Sequence, residues 1–486
     1  MLFQQAIAIE LESELKLKRA EEAAQTVLGC AYDSLTLGGS TMFLRICALA
    51  GVAVLPLQGL AQEAGGLTKS VQAQLASLTE TYKHLHRNPE LSHHEEKTSA
   101  YLAGELRKAG YTVTEHVGKY QDGTQAWGIV AVMENGAGPR LLIRSDMDAL
   151  PVEEKTGLDY ASTVRSTNAQ GQDVGVMHAC GHDIHMTVLL GTAREMAARK
   201  SVWHGTLVLV GQPSEETIDG SRAMLADGLY ERFGRPDIVV SEHDDSVTPA
   251  GSIGIKGGPL LASSTSIDVI MRGVGAHGSQ PENSKDPILM AAEFVVLAQG
   301  IVARQVDPQQ PAVLTVGMIH GGTKRNIIGE EVTMGLTLRA YSDKVREQII
   351  AAVKRTAEGI AIGYGVPKDR MPIVNVSQSE IAPATYNDPA LAERLRKTAA
   401  ATLGADHVEQ ANSVMGSEDV GLFTLDGKIP GVMFRLGASD PGKLAHAKES
   451  GVPLPGIHSP LFAPAYEPTI TTGVTVMTAM ALDLLK

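Results

Sequence analysis

Cysteine is scarce in this sequence: Cys30, Cys47 and Cys180 are the only three among 486 residues. The first two lie in a segment expected to be lost on processing, which leaves Cys180 alone. No internal disulfide can then form, even in an oxidising compartment. Positive charge is also short. The formal net charge of −13 argues against nucleic acid and against an anionic membrane surface as partners. Runs of like charge, low-complexity tracts and internal repeats are missing, which leaves an ordinary globular chain. Apolar residues make up 43% and charged residues 20%, the usual soluble balance. The length suits about two to four domains and a large core.

An unbroken apolar run of membrane-spanning length is missing near the N-terminus too. Ile46 to Leu57 is too brief for a comfortable membrane span. Arg45 precedes it, and Gly59-Leu60-Ala61 follows as a small-residue cleavage site before Gln62. That order is a secretory signal peptide over 42–61, so the protein is expected to be exported, periplasmic or secreted, with no membrane attachment after processing. A signal peptide belongs at the start, so translation is expected to begin at Met42, with 1–41 a non-native upstream extension. The other reading of that stretch is an amphipathic helix around Ala6–Val27.

Past Gly65, helix and strand patterns alternate. LTKSVQAQLASLTETYKHLH and EEKTSAYLAGELRKAG read as amphipathic helices, the second stopping at Gly110. AWGIVAVMEN, RLLIRSDMDAL, GTLVLVGQPSEE and DIVVSEH read as strands. The last three deliver Asp146 and Asp148, Glu215 and Glu216, and His243 just beyond their C-terminal ends, the edge where open α/β sheets bind ligands. From 264 to 376 the rhythm changes. STSIDVIMRG, AVLTVGMI, EVTMGLTLRAY and MPIVNV read as strands, with Val332, Met334, Leu336 and Leu338 on one face of the third. Asp286-Pro287 opens a helix through Arg304, and Asp343 caps another to about Ile362. The order β-α-β-β-α-β is that of a ferredoxin-like unit. Helices and strands then resume at LAERLRKTAAATL, GVMFRLG and TGVTVMTAMALDLL. The expected fold is α/β: residues 67–263 and 377–486 form one domain on a mixed sheet, and 264–376 is an inserted satellite.

Chemistry concentrates in MHACGHDIH, Met177 to His185. Cys180 and His182 are two residues apart, so in an extended turn both can face one way. Thiolate and imidazole suit zinc and similar ions. The helix that follows favours a thiolate near its N-terminus, which also fits a cysteine nucleophile. His178 and His185 are within reach, and a hydrogen-bonded structural histidine is the plain alternative for each. Glu215-Glu216 follows the buried run LVLVGQ. Neighbours on a strand leave on opposite faces, so one can ligate a metal while the other stays free as a base. A solvated acidic turn is the plain alternative. His243 and His458, the latter in a Gly/Pro-rich loop, read by themselves as ordinary polar positions.

Taken together, HRNPELS, RSDMDALPVEEKTGL, MHACGHDIH, QPSEE, GAHGSQP, GGTKRNIIG, MGSEDVGLF and HSPLF, in that order, resemble the family-twenty metallopeptidases and amidohydrolases. The likeness runs from His86 to Leu485 and falls in the branch of hippurate hydrolase, auxin-conjugate amidohydrolase and bacterial N-acyl-amino-acid hydrolases. It implies a metallohydrolase domain with two divalent ions per subunit, manganese or zinc, with cobalt or nickel as alternatives. The implied ligands are Cys180, His182, Glu216, His243 and His458, with Cys180 bridging the metals and not acting as a nucleophile. Glu215 is implied as general base, and Asp148 supports the ligands from behind. His277 is implied to approach the substrate carbonyl, in several relatives from the other protomer of a homodimer. Asn326 and Arg339 are implied to hold the substrate, a small N-acyl or aryl-acyl amino acid cleaved to a carboxylic acid and an amino acid.

Around the pocket the chain departs from that pattern. Asp244-Asp245-Ser246 replaces a proline-rich loop after His243. APAYEPTI keeps one acid, Glu467, where relatives carry two, and Gly-Glu-Glu stands in RNIIGEEV where relatives show Pro-Asp. The acyl group is therefore open. Three rival readings remain at this point: a cysteine-nucleophile hydrolase, a non-catalytic metal-binding relative, and a carboxypeptidase or dipeptidase on the same fold.

Overall fold

The computed structural model describes residues 66–486. The expected upstream extension and the expected signal peptide, with Cys30 and Cys47, lie outside the described residues. Among the described ones Cys180 is buried and unbridged.

The main sheet is built from strands β1 (Thr112–Thr114), β2 (Ile129–Asn135), β3 (Arg140–Asp146), β4 (Gly205–Gln212), β5 (Ile238–Pro249) and β6 (Ile253–Gly254). The satellite supplies β7 (Ser263–Arg272), β8 (Ala312–Gly321), β9 (Glu331–Ala340) and β10 (Ile373–Ala382). The chain returns with β11 (Val408–Glu409) and β12 (Gly431–Ser439). The longer helices are α1 (66–87), α2 (Glu96–Lys108), α3 (His182–Ala198), α4 (Pro287–Gln305), α5 (Asp343–Gly363), α6 (Pro389–Leu403) and α7 (Tyr466–Leu484).

The main sheet has the order β1-β2-β4-β3-β5-β12-β6-β11. Its centre, β4-β3-β5-β12, is parallel. The pairs β1–β2, β2–β4 and β12–β6 are antiparallel, so the sheet is mixed. All eight residues of β4 are buried, as a strand covered on both faces must be. Alternation sorts the side chains. Leu141, Ile143, Leu207 and Leu209 join Leu78, Leu102, Leu189, Leu395 and Val474 from the helices. Leu142, Val208 and Val210 face the other way, toward Met224 and Phe423.

The satellite sheet runs β8-β9-β7-β10, antiparallel throughout, the strand order of a ferredoxin-like unit. Ile267, Val269, Leu336 and Leu338 pack against Phe294 of α4 and Ile349 and Val353 of α5. Val332, Met334, Leu336 and Leu338 are buried, as the alternation in β9 predicts. Asp286 caps α4 by accepting from the N–H groups of Ile288 and Leu289. The cap of α5 is Ser342, one residue earlier than expected. Its hydroxyl accepts from Val345 N–H, while Asp343 is already helical. A second difference concerns His243. It sits inside β5, which continues to Pro249, and not at a strand end. β12 keeps pairing past it, Arg435 opposite His243 and Ser439 opposite Pro249, so the ladder does not stop.

Candidate metal centre

Gly181 turns the chain between Cys180 and α3. It sits at φ +79, and a Cβ there would stand 2.3 Å from Asp244 Oδ2, so only glycine fits. Cys180 Sγ lies 3.5 Å from His243 Nε2 and 3.2 Å from His458 Nε2. Glu216 Oε1 stands 3.9 Å from His182 Nε2 and 3.6 Å from His458 Nε2. The five residues expected as ligands therefore surround one space. Cys180, His182 and His243 form one group, and Cys180, Glu216 and His458 a second that shares the sulfur. Glu215 Oε2 borders the same space, 3.9 Å from His182 Nε2.

Both buried histidines are oriented from behind. His182 Nδ1 meets the Asp148 carbonyl oxygen at 2.8 Å, and His243 Nδ1 meets the Asp244 carbonyl oxygen at 2.8 Å. A carbonyl only accepts, so each Nδ1 carries a proton and each Nε2 faces the shared space, where it can offer a lone pair to a cation. His182 Nε2 and Glu216 Oε1 are buried without a hydrogen-bond partner. Buried acceptors left without donors are rare, and a cation satisfies them. Charge points the same way. Burial, then the Glu216 and Glu215 carboxylates, push the Cys180 thiol well above its usual range. Burial also raises Glu215, with Glu418 and Glu216 adding to it. Burial lifts Glu216 to about 7. Acids and a thiol packed this closely call for positive charge among them, and the donor set fits divalent metal.

The Glu215–Glu216 pair is not separated in the way the strand pattern implied. β4 ends at Gln212, and the pair sits in a turn. Pro213 has no N–H for the ladder, and Ser214 takes φ +52, so the extended path stops there. Asp148 sets the turn instead. Its Oδ1 accepts from Glu215 N–H at 3.1 Å and its Oδ2 from Glu216 N–H at 3.0 Å. The Ser92 hydroxyl donates to the same carboxylate at 2.6 Å.

Two buried clusters lie behind the ligands. Arg144 donates to Asp146 at 2.7 Å, Glu418 at 2.9 Å, Asp419 at 3.2 Å and Gln212 at 2.7 Å. His185 spans Asp146, 2.6 Å from Nδ1, and Asp244, 3.3 Å from Nε2. The motif MGSEDVGLF thus contributes Glu418 and Asp419 as counter-charges to a strand arginine. Three other expected residues stand apart. His277 is exposed, pairs with Ile327, and hydrogen-bonds Ser279 through Nδ1 at 2.7 Å. Asn326 is exposed and accepts from Gly278 N–H at 2.9 Å. Arg339 is half-buried on β9. Among the described residues, no hydrogen bond or ion pair ties these three to the cluster.

The profile of Peptidase family M20/M25/M40 matches residues 142–458, a span that contains every residue of the cluster. The chain belongs to this peptidase family. Thermostable carboxypeptidase 2 of Saccharolobus solfataricus is 33% identical over 361 residues, 74% of this chain and 85% of the relative. The hippurate hydrolase of Campylobacter jejuni is 34% identical over 341 residues, 70% of this chain and 82% of the relative. In three dimensions the chain is similar to the YXEP protein of Bacillus subtilis, a dinuclear metal-binding peptidase of the M20 family. The TM-score is 0.68 at 27% identity, covering 85% of this chain and 99% of that one. The protein is accordingly an M20 metal-dependent amide hydrolase, and the cluster around Cys180 fits the metals that this chemistry uses.

Proposed function

We propose that this M20 enzyme cleaves the amide bond of N-acyl or aryl-acyl amino acids, releasing a carboxylic acid and an amino acid. One observation carries the reading. The cluster offers five donors around one space, and Glu215 remains beside it as an acid not needed to complete either group around Cys180. Cys180, His182, Glu216, His243 and His458 would hold two divalent ions, manganese or zinc, which supply charge that acidifies water and stabilises an oxyanion. Glu215 takes the proton of the attacking water and returns it to the leaving nitrogen. Asp148 keeps the imidazole and both glutamates in place. Likeness to a hippurate hydrolase supports an acyl-amino-acid substrate. Likeness to a carboxypeptidase supports a peptide substrate as the second reading.

The test is a panel of N-acyl amino acids and dipeptides, assayed after reconstitution with Mn, Zn or Co. Preference for acyl amino acids by at least tenfold in kcat/KM supports the first reading. The reverse order supports the second. Activity that survives full metal removal but dies with a thiol alkylator would restore Cys180 as a nucleophile. We also propose export with Gln62 as the mature N-terminus, on the Arg45, apolar-run and Gly-Leu-Ala order. Peptides from 1–41 in the purified native protein would sink it.

A further inference from the structure

The turn that carries Glu215 and Glu216 presents three successive backbone N–H groups, and two buried carboxyls take all three. Asp148 accepts from Glu215 and Glu216. Glu95 Oε1 accepts from Ser214 N–H at 2.7 Å and from the Ser214 hydroxyl at 3.0 Å. Glu95 is fully buried and is the N-cap of α2, its carbonyl accepting from Ser99 N–H at 2.8 Å, so its backbone is anchored by a helix. Ser214 needs the hold. Its φ of +52 lies in the left-handed region, which is unfavourable for a side-chain-bearing residue. Its Oγ also accepts from His93 N–H at 2.9 Å and meets the Tyr120 hydroxyl at 2.6 Å, with the Tyr120 ring stacked on His93. The turn then closes on itself. Gly220 N–H donates to the Ser214 carbonyl at 3.1 Å, and a Cβ on Gly220 would stand 1.6 Å from the Pro213 carbonyl oxygen.

We infer that Glu95 is a positioning residue for hydrolysis: through Ser214 it sets where the Glu215 carboxylate stands beside the metal-ligand cluster. The inference rests on the reading of Glu215 as the base. Asp148 fixes the amides of 215 and 216 but not the peptide before them. Without Glu95, Ser214 relaxes toward extended backbone and the turn swings about Asp148. A proton acceptor must stand within hydrogen-bond reach of its water, and a misplacement of about 1 Å is enough to slow a reaction by about 10². The role needs an acceptor oxygen and not a charge. Burial, with the Asp148 charge next, pushes the Glu95 carboxyl up to about 8, and both Ser214 donors meet a single oxygen, Oε1. A glutamine offers the same oxygen at the same reach.

The experiment compares Glu95→Gln, Glu95→Ala and Glu95→Asp in the full-length enzyme, reading kcat, KM and metal content together. Glu95→Ala is expected to lose about 10–10² in kcat, with KM and metal content near wild type. Glu95→Gln is expected to stay within about threefold of wild type. Glu95→Asp withdraws the carboxyl by one methylene and is expected to behave like the alanine variant; it decides the matter if Glu95→Ala does not fold. Wild-type kcat in a folded Glu95→Ala or Glu95→Asp enzyme overturns the inference. So does a Glu95→Gln loss as large as that of Glu95→Ala, since charge would then be what matters. Glu215→Gln is measured alongside: full turnover there removes the base itself, a failure distinct from any result at Glu95.

Discussion

Glu215 and Glu216 are chain neighbours held by one carboxylate, yet their surroundings differ. Glu216 Oε1 faces His182 and His458 and has no hydrogen-bond donor. Glu215 is pressed by Glu418 and Glu216 and relieved by Arg144. Glu216→Ala is therefore expected to lower metal content, with activity partly recovered at high added metal. Glu215→Gln keeps size and hydrogen-bonding shape, so metal content is expected to stay near wild type while turnover falls by about 10²–10⁴. Metal analysis beside steady-state kinetics on both variants checks this. Metal loss in Glu215→Gln with retention in Glu216→Ala would reverse the roles. The residues at this scale were unevenly legible in the sequence. Cys180, His182 and the glutamate pair announce themselves by type and spacing. His458 does not: it is a partly exposed loop residue, and only resemblance to a family singled it out. Glu95, Arg144 and Asp419 are not legible because nothing local says that a charged side chain is buried, or which distant group it meets. Arg144 and Asp419 are 275 positions apart.

At the scale of elements, ion pairs join parts that the hydrophobic pattern alone would leave free to slide. Arg144 of β3 gathers Asp146 and the distant pair Glu418 and Asp419, all fully buried. Arg144→Ala leaves Glu418 and Asp419 without a counter-charge and Asp146 with only His185 and His182 beside it. The expected loss is about 3–5 kcal/mol in metal-free urea unfolding, the usual result of breaking a buried pair from one side. A loss below about 1 kcal/mol would mean that the acids take up protons instead. His86, in α1, ties that helix to the start of α3 through Asp183 at 2.6 Å and to Glu154 at 3.2 Å. Burial alone would pull His86 down, but these acids outweigh it and lift it to about 9. The folded value is above the unfolded one, near 6.5, so the stabilisation is full below about pH 6.5 and is lost as pH rises through about 9. Its size is roughly 3 kcal/mol. The gap in unfolding free energy between wild type and His86→Gln should therefore shrink from pH 6 to pH 9.5. A gap that widens with pH would show that His86 is neutral in the fold. Element existence was readable from periodicity, including the satellite order. Element ends were less so. β5 outruns its apolar stretch because β12 keeps pairing with it, and the Glu215–Glu216 turn depends on Asp148, a partner 67 and 68 positions away.

At the scale of the whole molecule, His277 makes no contact with the cluster among the described residues, and the satellite leaves apolar surface uncovered by them. Among the described residues β8 pairs only with β9, so that edge of the satellite sheet is open to them. Met318 and Ile319 on β8 are more than half exposed, as are Leu289, Val296 and Leu297 on α4, Val296 at 71%. α4 is long and apolar enough to cross a membrane, but Met290, Phe294 and Ile301 on its inner face pack into the satellite core. A second copy of the chain would cover such an edge and face without any new chemistry. We therefore expect a homodimer in which each site is completed by His277 of the other protomer. Light scattering should give the mass of two chains at micromolar concentration, and Val296→Glu should shift it toward one. Mixing tests the shared site more sharply. His277→Ala and Glu215→Gln are each expected to be inactive alone. In a mixed dimer, the His277→Ala protomer keeps its base and receives an intact histidine from its partner, while the other site lacks both. Random reassortment of equal amounts should restore about a quarter of wild-type activity, since half the dimers are mixed and half their sites work. No recovery after proven subunit exchange would place His277 in its own protomer's site or outside the reaction. A mass of one chain across the same concentrations would remove the dimer itself.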